Sequence, residues 1–274
     1  MPVTLRVAGV EVEAVSDGTL KSSVDNVIGM ERGRIDALVR TPDDAIVIPV
    51  NNFLIRRGGN TILIDAGAGN TMQPTLGHLP ANLRAAGVDP AAVTHVVLTH
   101  IHPDHANGLV DDAGAPHYPN AEIVVHATEA DFWLAPAAGR EPETVQRNRA
   151  RARINLAPYG DRIRRVHDGE EVLGLTPLLA PGHTPGHTCW LMGARPGALI
   201  AWGDVVHFSA IQIPHPDVAV TYDLDKDLAR TTRQRVLDLV ATERLAIAGA
   251  HVDAPGLGYV VRKGSGYAFE PAGG

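Results

Sequence analysis

One cysteine, Cys189, stands in 274 residues. That excludes an intrachain disulfide framework, and its setting in Thr188-Cys189-Trp190-Leu191-Met192 reads as a buried, inert thiol. Aromatic residues are scarce at 4%, so the core is expected to consist mainly of Val, Leu, Ile and Ala. No run of 18 apolar residues occurs, and no basic segment leads into an apolar one at the N-terminus. Neither a membrane span nor a signal peptide is therefore expected, and the cytoplasm is the default compartment. Positive charge is in deficit, with 24 Lys and Arg against 31 Asp and Glu, which argues against a nucleic-acid partner. The one dense basic run, 147–153, reads as the solvated side of a helix. No Gly-x-Ser-x-Gly elbow is present to offer a serine nucleophile.

What is there is an ordinary globular composition, 45% hydrophobic and 20% charged, over a length that suits one layered α/β domain spanning 1–274. Short β-like runs fall at 45–50, 53–57, 61–65, 96–99, 123–126, 172–175, 189–192, 199–202 and 245–248. Helical patterns alternate with them at 79–86, 127–134, 143–156 and 226–241, which implies sheets covered by helices. The helix at 143–156 sits between prolines as an excursion, so the segment around 136–160 is expected to be a lid or pocket wall.

The densest chemistry lies in Thr99-His100-Ile101-His102-Pro103-Asp104-His105, just past the apolar run Val96-Val97-Leu98. Beyond a strand end, His100 and His102 project to one side because side chains alternate. Pro103 stops the strand, and the turn after it lets Asp104 and His105 aim at a second, neighbouring point. Two imidazoles for one ion and a carboxylate plus imidazole for the next is how a two-metal hydrolytic site begins.

Four further turns follow apolar runs and carry a His or Asp. Asp65, before Gly67 and Gly69, suits an outer role holding a ligating histidine, or a plain turn. In Pro181-Gly182-His183-Thr184-Pro185-Gly186-His187, His183 is assigned to metal and His187 to hydrogen bonding. Asp204 directly follows a buried run, where an unpaired charge is costly; a place between two cations resolves that cost. His251 ends the run Ile247-Ala248-Gly249-Ala250. The donors then divide into His100, His102, His183 and Asp204 for one ion, and Asp104, His105, His251 and the same Asp204 for the other. Such imidazole–carboxylate sets suit two zinc ions, with iron, manganese or cobalt as alternatives. His207 is placed to face the same cavity and to hydrogen-bond a developing oxyanion. His78, His95, His117, His126, His167 and His215 are read as surface or satisfied polar residues.

These turns, in this order, resemble the metallo-β-lactamase superfamily across essentially the whole chain: His100-Ile101-His102-Pro103-Asp104-His105 matches its His-x-His-x-Asp-His motif. The resemblance implies a four-layer αβ/βα sandwich with metals at one edge between the sheets. Within the superfamily, Asp65-Ala66-Gly67-Ala68-Gly69, Gly203-Asp204-Val205-Val206-His207 and the ending from Gly249 to Tyr267 are most similar to the methyl parathion hydrolase and N-acyl-homoserine lactonase group. Some lactonases carry tyrosine where His207 stands, which leans the likeness toward the parathion-hydrolase branch. True zinc β-lactamases carry cysteine where Asp204 stands, so antibiotic hydrolysis is not expected.

The reading that follows is a zinc-dependent hydrolase of lactones or carboxyl esters of the acyl-homoserine-lactone type, with a hydroxide shared by two ions as nucleophile, Asp104 relaying a proton, and promiscuity for organophosphate triesters. An organophosphate hydrolase proper is the second reading. A redox di-iron protein is the third, disfavoured because no flavin-binding domain follows the core. The partner is a small apolar ester or lactone, held in a pocket drawn from Phe53, Phe132, Trp133, Tyr159, Phe208 and Ile211; no nucleic acid or membrane partner is expected, and a homodimer is left open.

Overall fold

The computed structural model describes residues 3–7, 9–39, 42–136 and 139–273. Seven strands make the first sheet: β1 (Thr4–Val7), β2 (Val10–Ser23), β4 (Ala45–Arg57), β5 (Asn60–Ile64), β6 (His95–Val97), β7 (Glu122–His126) and β8 (Ile163–Val166), in that spatial order. Its first half is antiparallel and β5 to β8 run parallel. Six strands make the second: β9 (Leu175–Leu179), β10 (Thr188–Met192), β11 (Leu199–Ala201), β13 (Ala246–Ala248), β14 (Leu257–Lys263) and β15 (Gly266–Pro271). Here only β11 and β13 are parallel. A short pair, β3 (Val27–Ile28) with β12 (Ala219–Val220), lies apart.

Side-chain alternation sorts the apolar residues into layers. Ile62 and Ile64 of β5, with Phe53, Val97 and Val124, meet Trp190, Met192, Leu199, Ala201 and Ala248 of the second sheet in an inner core. Leu63, Val96, Ile123 and Val125 point the other way, under α2 (Leu79–Ala85), α4 (Ala127–Leu134) and α5 (Glu143–Leu156). Ile200, Ile247 and Val260 pack under Val236, Leu237 and Val240 of α7 (Lys226–Glu243). Helix, sheet, sheet, helix: this is the expected αβ/βα sandwich. Strands β5 to β7 are buried on both faces, which is why they read as continuous apolar runs rather than alternating ones. The remaining helices, α1 (Arg32–Leu38), α3 (Pro103–Ala106) and α6 (Ser209–Gln212), are short. No helix among the described residues is long and apolar enough to cross a membrane.

Several local expectations are corrected. The runs 45–50 and 53–57 belong to one strand, because Asn51 and Asn52 do not break it; Asn51 Nδ2 donates instead to the carbonyls of Gly249 and Val252 at 3.2 and 2.8 Å. The run 172–175 is a tight turn, not a strand: Val172 and Leu175 exchange both backbone bonds at 2.8 Å around Leu173 and Gly174, both at positive φ. That pair of φ signs is what a two-residue reversal needs. Strand β2 opens with Val10-Glu11-Val12-Glu13-Ala14-Val15, whose alternation marks a strand that the expected runs do not include. The basic run is not wholly solvated either. Arg149 is 3% exposed and paired with Glu141 at 2.6 Å. Positions 137 and 138 of the expected insertion lie outside the described residues.

Candidate metal centre

The carboxyl ends of the parallel strands supply the site, as open α/β sheets generally arrange. Past β5 comes Asp65; past β6, the loop with His100 and His102; past β11, Asp204; past β13, His251. Pro103 opens α3, a single helical turn that carries Asp104 and His105. Three groups of donors lie with their atoms within 4.8 Å of one another: His183, His207 and Asp223, and the two larger sets His100, His102, His183 and Asp204, and Asp104, His105, Asp204 and His251. The two four-residue sets are the groupings drawn from the sequence; the third was not expected.

Asp204 joins them. Its Oδ2 lies 3.6 Å from His100 Nε2, 3.2 Å from His183 Nε2 and 3.1 Å from His207 Nε2. Its Oδ1 lies 2.9 Å from His105 Nε2 and 3.2 Å from His251 Nε2. Asp104 Oδ2 completes the second set at 3.5 and 3.3 Å from the same two nitrogens. His100 Nε2, His105 Nε2, Asp204 Oδ1 and both ring nitrogens of His207 are buried without a hydrogen-bond partner. Buried polar atoms are ordinarily satisfied, so this convergence at contact distance, without hydrogen-bond angles, fits a pair of cations.

The outward nitrogens are tied down. His105 Nδ1 donates to Asp65 Oδ2 at 2.8 Å, His183 Nδ1 to Asp223 Oδ1 at 3.0 Å, and His251 Nδ1 to the Pro49 carbonyl at 2.8 Å. Thr99 Oγ1 gives its one proton to Asp65 and so accepts from His100 Nδ1 at 3.1 Å. Each bond fixes the tautomer that leaves Nε2 facing inward. His102 is turned the other way, with Nδ1 2.8 Å from His183 Nε2. His187 makes a further prop: Nδ1 donates to the Ala180 carbonyl at 3.1 Å and Nε2 accepts the Asp204 N–H at 2.9 Å. Gly203 allows that approach, since at φ +53° a Cβ there would lie 2.6 Å from His187 Nε2.

Charge follows the geometry. Burial pushes the Asp104 and Asp204 carboxyls up, but the imidazoles around them, His105 and His251 foremost, win and hold both well below the usual range. Burial pulls His183 and His251 down, yet the carboxylates outweigh it and raise them to about 9 and about 10. Burial beside His183 drives His187 down to about 3. Cys189 is buried, its thiol pushed up to about 12 by that burial.

Three buried groups escaped sequence reading. Asp223 holds His183 and is itself 3.4 Å from Arg233 Nη2 of α7. Glu129, in α4, accepts from Ile101 N, Trp133 Nε1, Thr184 Oγ1 and Gly186 N at 2.7–3.0 Å, and so locks the His100 loop to the His183 loop. Asp17 accepts from Ala68, Gly77 and Leu79 N–H groups and orders the turn after Asp65. Nothing local marks Asp223, and Glu129, in Ala127-Thr128-Glu129-Ala130-Asp131, reads like any acid on an exposed helix face.

A cavity of about 990 Å³ opens onto both ligand sets. Of the six residues expected to line it, only Trp133 does, 5.3 Å ring to ring from His102. Phe53 packs between the sheets, Phe132 and Tyr159 under the helices, and Phe208 and Ile211 in a cluster behind the wall. All five are large apolar groups for which core burial outweighs exposure to a wet cleft. Leu20, Ile48, Met72, Val145 and Leu224 take their place, and Thr144, Arg147 and Asn148 show that α5 forms part of the wall. His207 faces the cavity, 4.6 Å ring to ring from His183.

Residues 45–251 match the family model of the metallo-beta-lactamase superfamily. The chain belongs to that superfamily. Its curated relatives include N-acyl homoserine lactonase AttM of Azorhizobium caulinodans, 26% identical over 192 residues, 65% of this chain and 69% of that protein. Acyl-coenzyme A thioesterase MBLAC2 of Gallus gallus is 33% identical over 170 residues, 57% of each. Among superfamily structures, the hydrolase AbOPH superposes with a TM-score of 0.94 at 28% identity, covering 99% of this chain and 97% of that one. AidC, a dizinc quorum-quenching lactonase, superposes with a TM-score of 0.90 at 24% identity and the same coverage, a likeness of fold. Superfamily membership and the paired His/Asp sets make this chain a metal-dependent hydrolase.

Proposed function

We propose that the protein is a dinuclear-zinc hydrolase of lactones or carboxyl esters, built as one domain over 1–274 with α5 as a pocket-wall insertion. The observation that carries this is the Asp204 carboxylate, which turns one oxygen to each of two ligand sets in a cavity whose wall includes Leu20, Ile48, Met72, Val145 and Leu224. His100, His102 and His183 would hold one ion with Asp204; Asp104, His105, His251 and the same Asp204 would hold the other. Bound there, two divalent cations acidify water into the neutral range and polarise a carbonyl oxygen.

The chain's own groups do the rest. Asp204 sets the separation of the two sets, and His187 holds Asp204 through its backbone N–H. Asp104, beside His251, accepts a proton and passes it to the leaving alkoxide. His207 offers a ring N–H to the oxygen on which charge develops. Leu20, Ile48, Met72 and Val145 keep water from an acyl chain.

A panel of lactones, aryl esters and phosphotriesters, run on protein of known metal content, tests this reading. Lactones or carboxyl esters are expected to show the largest kcat/KM; phosphotriesters in that place would make the second reading the right one. Asp204→Ala is expected to lower turnover about a thousandfold or more and to release metal. Full turnover in that variant overturns the assignment.

A further inference from the structure

Uncharged groups on the cavity wall form a hydrogen-bonded cluster with one proton to spare. Ser22 is the last residue but one of β2, Asn26 lies just beyond that strand, and Tyr222 follows β12; all three line the cavity. Asn26 Oδ1 accepts from Thr221 Oγ1 at 2.7 Å, which fixes the amide so that Nδ2 points to the hydroxyls. Asn26 Nδ2 donates to Ser22 Oγ at 3.1 Å and to the Tyr222 hydroxyl at 2.6 Å. The two hydroxyls also bond to each other. Both amide protons are then used, while two hydroxyl protons share a single Ser22–Tyr222 bond. One O–H has no acceptor among the described residues, and Ser22 and Tyr222 both line the cavity. The Tyr222 ring is 5.7 Å from that of His207, which places the spare donor beside the metal centre but outside its ligand sets.

We propose that the Ser22–Tyr222 hydroxyl pair, oriented by Asn26, is a specificity subsite that donates to a second, uncharged oxygen of the substrate, an amide or keto carbonyl near the scissile ester. The inference rests on the hydrolase reading above. An uncharged donor favours an uncharged acceptor, and a substrate lacking that oxygen leaves the donor unpaired.

The test compares metal-loaded protein with the double variant Ser22→Ala/Tyr222→Phe on two γ-lactones, one carrying an acylamino group and one an alkyl group of equal length. Binding of the two non-hydrolysable γ-lactam counterparts is measured by calorimetry. The double variant should lose about tenfold in kcat/KM on the acylamino lactone, mainly through KM, and less than about threefold on the alkyl lactone. Tyr222→Phe alone keeps one hydroxyl and should lose less; it also serves if the double variant fails to fold. Equal losses on both lactones, or an unchanged preference, overturn the subsite while leaving the hydrolase reading intact. If wild type hydrolyses neither lactone, the lactone part of the proposed function fails and the lactams decide alone. Selective weakening of the acylamino lactam then supports the subsite, and equal or absent binding overturns it.

Discussion

The two ligand sets share Asp204 but are built differently. The set of His100, His102 and His183 contains one carboxylate, whereas the set of Asp104, His105 and His251 contains two. The first draws its outer support from a hydroxyl (Thr99) and a carboxylate (Asp223). The second draws on Asp65 and the Pro49 carbonyl. His102 is half-buried while every member of the second set is buried. A cation in the second set meets one more negative charge in a drier place, and Coulomb attraction there is less screened. Unequal affinity is the expected consequence: the second set should hold an ion more tightly.

The largest test of that comparison, after loss of the shared Asp204, is Glu129→Ala. It leaves four donors without an acceptor beneath the first set and should cost about 3 kcal/mol, measured by chemical denaturation. It should also loosen the His100 and His183 loops more than His251. Next come Asp65→Asn and Asp223→Asn. Each should weaken metal binding about 10- to 100-fold, but in different sets, so stepwise chelation should show which equivalent leaves first. If both variants weaken the same equivalent, the two sets are not independent.

The smallest effect is in pH. In the metal-free protein His183 and His251, drawn up to about 9 and about 10, stabilise the fold fully below 6.5, and that contribution is lost as pH rises through the higher values. His187, held at about 3, and His100 and His102, also lowered, act oppositely: their contribution is present above 6.5 and lost as pH falls. Thermal melts of metal-free protein should therefore peak near pH 6.5 and decline on both sides. A monotonic profile would mean that only one class of histidine matters. Metal displaces these protons, so the metal-loaded protein should show a flatter profile.

The same asymmetry governs what could be read from residue order. His100 to His105 form a contiguous motif, so the strand-then-turn geometry that divides them between two ions is written locally. Asp204 and His251 were legible because each ends a buried run, where a polar side chain needs a reason. The hairpin β1–β2 was equally legible in its alternation of Val with Glu. Tyr159 and Phe53 misled because a large apolar side chain looks the same in a core and in a pocket.

Sequence alone pointed to sheets covered by helices and to donor residues standing past the strand ends, since strand period, proline breaks and burial cost all act within a few residues; the αβ/βα layering came from the family resemblance. Tertiary structure alone decided which histidine nitrogen faces inward, that Asp223 and Glu129 stand behind the ligands, and which side chains form the cavity wall. Those outcomes depend on contacts between segments 40 to 200 residues apart, where local chemistry has no way to specify distance.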